Sequence, residues 1–284
     1  MPLDQEIDAG PESALPASHR SGPRDDVLTL AAIGIVAYVG CDLLHELAGH
    51  GGVCLATGGR PVSLSTIHFQ CLGGWQALIC AAGILVNLVM GTLLWLIVRR
   101  MHTASVHTRY FLWLSMAYNL FTGWGYVVTS SLTNSGDLAN AFRGVSTQFQ
   151  WRGGMALAGA LFYFGSVWVT TREVHSFIGS DEGGRLWRLI LIPYFAAAFV
   201  ACAAGAFNSI LSMPQVLISA ISTTLGAWGF LLLPLFFLFP WIRSIRIPSP
   251  VPVTRNLGWI ITAAVVVVIF VAVIGPGMKF GGRG

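Results

Sequence analysis

Twelve residues, CDLLHELAGHGG from Cys41 to Gly52, place Asp42, His45, Glu46 and His50 in an otherwise apolar run. Two imidazoles and a carboxylate form a donor set for a divalent cation such as Zn²⁺, at ligand distances of about 2.0 to 2.2 Å. A glutamate beside such an ion is placed to act as general base on the water that the ion activates. The run is long enough to cross a bilayer, where unpartnered ionisable groups cost at least about 2 to 3 kcal/mol each. Four within nine residues need a common partner, and a single bound cation supplies one.

The spacing constrains how that can happen. His45 and His50 are five residues apart, so on a regular α-helix their side chains diverge by about 140°, against about 40° for residues four apart. One extra residue in a turn is the signature of a π-bulge, which returns the two imidazoles to one face, and Gly49 eases it. The alternative is a regular helix whose polar stripe is Asp42, Glu46 and His50, with Glu46 coordinating the metal directly.

The elements that must hold these residues follow from composition. The chain has 284 residues, 55% hydrophobic and 10% charged, with mean hydropathy +0.70; a soluble domain carries about 25% charged residues. An all-α, polytopic membrane protein is expected. Seven apolar segments can be drawn: Val27 to about Leu55, Trp75 to Val98, Tyr110 to Leu132, Gly154 to Thr170, Leu189 to Leu211, Val216 to Phe239 and Trp259 to Ile274. Each is near the roughly 20 residues that a span needs. Between the first two, a Gly-Gly turn and the β-branched alternation VSLSTIHF predict a short β-hairpin or re-entrant strand packed against protein.

Residues 1–26, rich in Pro, Ser, Gly and acids, read as a disordered polar tail. Residues 27–143 hold the first three helices, a core that carries the polar run, and 144–284 about four more. Of twelve acids, six lie in the tail and three at Glu173, Asp181 and Glu182, which leaves Asp42, Glu46 and Asp137 to be explained.

With the N-terminus inside, eleven basic residues fall on inner connections and five (Arg60, Arg143, Arg152, Lys279, Arg283) on outer ones. The bias puts the N-terminus in the cytoplasm and residues 52–74 outside, in an integral protein of an inner or plasma membrane. The basic residues are scattered at segment ends, so they read as topology signals; the lipid bilayer is the expected partner and nucleic acid is not. Five cysteines without a CxxC pair indicate neither a disulfide framework nor a thiolate zinc site, and read as small apolar fillers.

The residues resemble a family, the site-2 protease (M50) group of intramembrane zinc metallopeptidases. The resemblance rests on LLHELAGH at the end of a membrane helix and on GGVCLATGGRPVSL after it. It continues in AAGILVNLVMG in the second segment and YNLFTGWGYVVTSSLTNSGD in the third, and covers roughly residues 27 to 143. It implies one Zn²⁺ per chain held by His45, His50 and Asp137, Glu46 as general base, and a membrane or juxtamembrane peptide substrate. The HExxxH spacing departs from the family's HExxH, Asn119 lacks the usual following Pro, and Gly136-Asp137 replaces Leu-Asp-Gly. The resemblance also implies a site open toward the cytoplasm, opposite to the arginine bias.

Other readings stand beside these. Asp137, in Asn-Ser-Gly-Asp, is also a good helix-start residue. Asn87 and Asn119 are interhelical hydrogen-bonders or substrate-binding amides, and His68 is an exposed loop histidine or a further partner at the metal site. A non-catalytic M50-like protein and a metal- or ion-transporting membrane protein are the rival functions. A transporter spreads ionisable groups along a path, whereas the last four segments hold none deep inside.

Overall fold

The computed structural model describes residues 24–101, 103–145, 147–178, 184–236 and 251–280. Of the expected disordered tail, residues 1–23 lie outside the described residues, whereas its last residues are held in the fold, Asp25 by Arg185 and Asp26 as the cap of the first helix. The chain is mostly helical with a small antiparallel sheet. The elements are α1 (Val27–Leu43), a π-helical segment (Leu44–Gly51), α2 (Gly52–Ala56), β1 (Arg60–Ser65), β2 (His68–Leu72), α3 (Gln76–Val98), α4 (Val106–Thr133) and α5 (Gly136–Ala141). There follow α6 (Gln148–Ile178), α7 (Arg185–Ala206), α8 (Met213–Gly226), α9 (Gly229–Phe236), α10 (Leu257–Val268) with a second π-helical segment (Ile269–Ile274), and β3 (Met278–Lys279).

Five helical stretches among the described residues are long and apolar enough to cross a membrane: Val27–Ala56, Gln76–Val98, Gln148–Val174, Arg185–Ala206 and Leu257–Ile274. Two of the seven expected segments differ. α4 has the length but not the hydropathy, because it lies at the centre of the bundle and buries Ser115, Asn119, Thr122, Ser130 and Ser131 against other helices rather than lipid. The sixth segment is broken between α8 and α9. There the Tyr163 hydroxyl donates to Gly226 O (2.9 Å) and accepts from Gly229 N (2.5 Å), satisfying backbone groups that the interruption frees.

Hydrogen bonds set the direction of each helix. Arg185 donates twice to Asp25 (2.7 and 2.9 Å) and once to Val251 O, Asp26 N donates to Val253 O, and the His107 ring bonds Thr254 O. The starts of α1, α4, α7 and α10 therefore share one end. Asp26 caps α1 there, its Oδ1 accepting from Thr29 N and Thr29 Oγ1. Trp95 Nε1 donates to Glu173, bringing the C-terminal ends of α3 and α6 to this end as well.

The opposite end gathers the hairpin, α5, the start of α6 and the C-terminal strand. β2-β1-β3 is the strand order, β1 pairing antiparallel with both neighbours. The expected hairpin is thus present, turning at Thr66–Ile67 with a bulge between Pro61 and Ser63, and it gains a third strand from more than 200 residues away.

The cysteine reading needs correction. Cys54 in α2 is bonded to Cys71 in β2, closing a loop of sequence separation 17. No CxxC spacing announces it; the hairpin folds back beside α2 and brings two distant cysteines together. Cys41, Cys80 and Cys202 are free.

Candidate metal centre

The π-helical segment Leu44–Gly51 resolves the spacing problem of HELAGH. Its wider turn is closed by an i→i+5 bond in which Gly52 N donates to Leu47 O. His45 and His50 return to one face, their ring centroids 4.8 Å apart, and both are buried. Glu46 and His50, two members of the alternative Asp42–Glu46–His50 stripe, stay together beside His45.

Two glycines let the turn sit where it does. At Gly49, a β-carbon would lie 2.6 Å from Gly83 Cα on α3; at Gly83, a β-carbon would lie 2.5 Å from Nε2 and 2.7 Å from two carbons of the His45 ring. The backbones of the two helices therefore meet at the imidazole, which Gly83 seats without room for any side chain.

Each imidazole is oriented by its far nitrogen. His50 Nδ1–H donates to Ile79 O (2.6 Å), and His45 Nδ1 faces the Asn87 amide nitrogen at 3.2 Å. Both Nε2 atoms converge on one oxygen, Asp137 Oδ2, at 3.1 Å from His45 and 3.4 Å from His50. Two ligand atoms each about 2.1 Å from a tetrahedral ion stand about 3.4 Å apart, close to both imidazole–carboxylate distances here. With Nδ1–H committed to Ile79 O, His50 Nε2 faces Asp137 either as the N–H donor of an imidazolium or, once that proton leaves, as the lone pair a cation would take.

Asp137 lies in the first turn of α5, whose N-cap is Ser135, so it is not the helix cap. Burial alone would raise its pKa, but hydrogen bonds from His45 and His50 outweigh that and hold the carboxyl well below the ordinary carboxylate range. It is a carboxylate at neutral pH.

Glu46 is buried beside the two histidines, and His45, Glu46 and His50 can each offer a ligand atom within 4.8 Å of the others. Asp137 makes the shorter approach to both imidazoles, while Glu46 keeps one oxygen, Oε2, without a partner. Asp42 lies one helical turn earlier, with Oδ2 likewise unpartnered. Both acids line an inner cavity of ≈ 10 Å³ with Thr66, whose Oγ1 is also unpartnered. The space is that of one water molecule, and three of its lining residues carry an unpartnered oxygen.

On its other side the centre opens into a cleft of ≈ 420 Å³ lined by Glu46, His50, Asp137, His68, Phe69 and Tyr126, among others. His68 starts β2 and is half-buried at the cleft wall, where burial lowers its imidazole pKa. Asn119 is not brought to the site: its amide donates to Ser115 O within α4. Tyr126 lies tilted by 37° against His45 with ring centroids 5.2 Å apart, and Phe69 lies nearly parallel to His50 at 6.4 Å. Tyr126, Phe69, Gly83 and Ile79 carry no motif that marks them in the sequence; only the small-residue run AAGILVN around Gly83 gives a signal.

The residues present fit a divalent cation. A metal on His45 Nε2 requires a proton on Nδ1 and an acceptor for it. Asn87 Oδ1, buried and unpartnered, becomes that acceptor on a half-turn of the amide. No protein-family model, curated protein or solved structure matches the chain.

Proposed function

We propose that the chain is a membrane-embedded zinc metallopeptidase of the site-2 protease type, which cleaves peptide bonds in or near the bilayer. The observation that carries this reading is the convergence of His45 and His50 Nε2 on one Asp137 oxygen, with Glu46 and its unpartnered Oε2 beside them. Two imidazoles and a carboxylate suit Zn²⁺. His45, His50 and Asp137 hold the ion, which supplies Lewis-acid polarisation of the scissile carbonyl and a water of lowered pKa.

The chain's own groups do the rest. Glu46, which lines both the cleft and the inner cavity behind it, takes the proton of the attacking water and returns it to the leaving amine. Asn87 and Ile79 O keep the imidazoles from rotating away. β2 is an edge of the sheet and its residues His68, Phe69 and Cys71 line the cleft, so an unwound substrate segment can lie along it as an added strand. Tyr126 closes the wall opposite.

An inert hydrogen-bonded network is the main alternative, and metal analysis separates the two. Purified protein is expected to hold close to one zinc per chain, with His45→Ala, His50→Ala and Asp137→Ala each losing most of it. Wild-type protein without stoichiometric metal would sink the peptidase reading.

A further inference from the structure

We infer that the cleft opens on the oxidising, non-cytoplasmic side of the membrane, so that its substrate is a peptide segment exposed on that side. The substrate half rests on the peptidase reading; the sidedness does not. Two observations of different physical origin lead here.

The first is the Cys54–Cys71 disulfide. Cys71 lines the cleft itself, and its partner ends the helix that carries the histidines. The turn between them is built around the bridge: Gly59 N donates to Cys54 O (2.7 Å), and a β-carbon at Gly59 would lie 2.5 Å from Cys71 Sγ and 3.1 Å from Cys54 Sγ. Thiols of cytoplasmic proteins are kept reduced, whereas disulfides persist in oxidising compartments. A turn shaped to a bridge belongs outside the cytoplasm.

The second is charge. The helix directions set by hydrogen bonds sort the described basic residues by end, without reference to the site. Arg24, Arg99, Arg100, Arg109, Arg172, Arg185, Arg188 and Arg255 fall at the end where α1 starts; Arg60, Arg143, Arg152 and Lys279 fall at the cleft end. Basic residues are retained on the cytoplasmic side. The bias therefore places the start of α1 inside and the cleft outside, the same answer as the bridge. The C-terminal strand, paired with β1, lies on the cleft side too.

Sidedness is read by labelling in sealed right-side-out vesicles, using a chain in which Cys41, Cys80 and Cys202 are replaced by Ala. An impermeant maleimide-polyethylene glycol is expected to react with Cys54 and Cys71 only after an impermeant phosphine reductant, and without detergent. A Thr103→Cys reporter, at the opposite end, is expected to need detergent. If the triple replacement fails to insert, differential alkylation of wild-type chain with mass mapping of the Cys54–Cys71 peptide, and access of an antibody to a C-terminal epitope, give the same answer. Free reaction without reductant, or a need for detergent at Cys54 and Cys71, overturns the inference. A chain that labels as stated and binds no metal keeps its sidedness and loses the peptidase reading; one that cleaves peptide but labels only in detergent does the reverse.

Discussion

The two ends of the first helix each bury acidic groups and treat them in opposite ways. At its start, Asp25 accepts from Arg185 Nε, Arg185 Nη2 and Val253 N at 2.7 to 2.9 Å, an arrangement that ties α1, α7 and the segment before α10 together. At its end, Asp42 Oδ2 and Glu46 Oε2 have no partner, and two imidazoles press on one Asp137 oxygen. A buried polar network that is fully bonded specifies packing; one left partly unbonded costs about 1 to 3 kcal/mol per orphaned group and needs something further to complete it. The first end is finished by the chain alone, while the second leaves donor atoms that could hold a metal ion.

Substitutions can break that contrast. The largest effect is expected at Glu46→Gln, which should keep the bound metal but lower kcat by about 10² to 10⁴-fold, the usual reach of a positioned general base. Loss of metal instead, as in His45→Ala, would make Glu46 a ligand and restore the alternative donor set. Next is Arg185→Ala, which strands the Asp25 carboxylate and should cost about 3 to 5 kcal/mol of stability. Denaturation in detergent should show it, with metal content of the folded fraction unchanged. If that variant also loses metal, the two ends are not separable.

Asn87→Ala should weaken metal binding by about 10 to 100-fold, as removal of a group that orients a liganding histidine does, with little change in unfolding; Asn87→Asp, which keeps an acceptor, should lose less. The smallest effect is a pH dependence. Asp137's folded pKa is depressed, so its stabilising contribution is present above its unfolded value of about 3.9 and is lost as pH falls through the folded value. In metal-free protein, the stability gap between wild type and Asp137→Asn should therefore close only below about pH 4. A gap that closes near pH 6 would mean that the carboxyl is not held as described.

Much of the site is legible in the residues alone. A run such as CDLLHELAGHGG puts four ionisable groups where the bilayer penalises them, and that penalty is a property of residue type. The extra residue between His45 and His50 predicts a π-turn because the helical period is fixed by backbone geometry. Asp137 stands out by scarcity. Gly83, Ile79 and Tyr126 do not, because a glycine, a carbonyl and one tyrosine among several carry no spacing signal. Their roles come from α3 and α4 crossing the histidines. Asn119 is as prominent in the sequence as Asn87, yet only Asn87 faces an imidazole.

The apolar content, the hairpin and the metal-ligand residue types follow from local chemistry, so they are readable in the residues as helices apolar enough to span a membrane and one concentrated polar site. The tertiary structure decided what depends on contacts between distant segments. It paired Cys54 with Cys71, broke the sixth apolar segment at the Tyr163 hydroxyl, added β3 to the hairpin and turned Asp137 from a helix start to the two histidines. Such contacts are chosen by packing geometry across the whole bundle, which no short window of residues encodes.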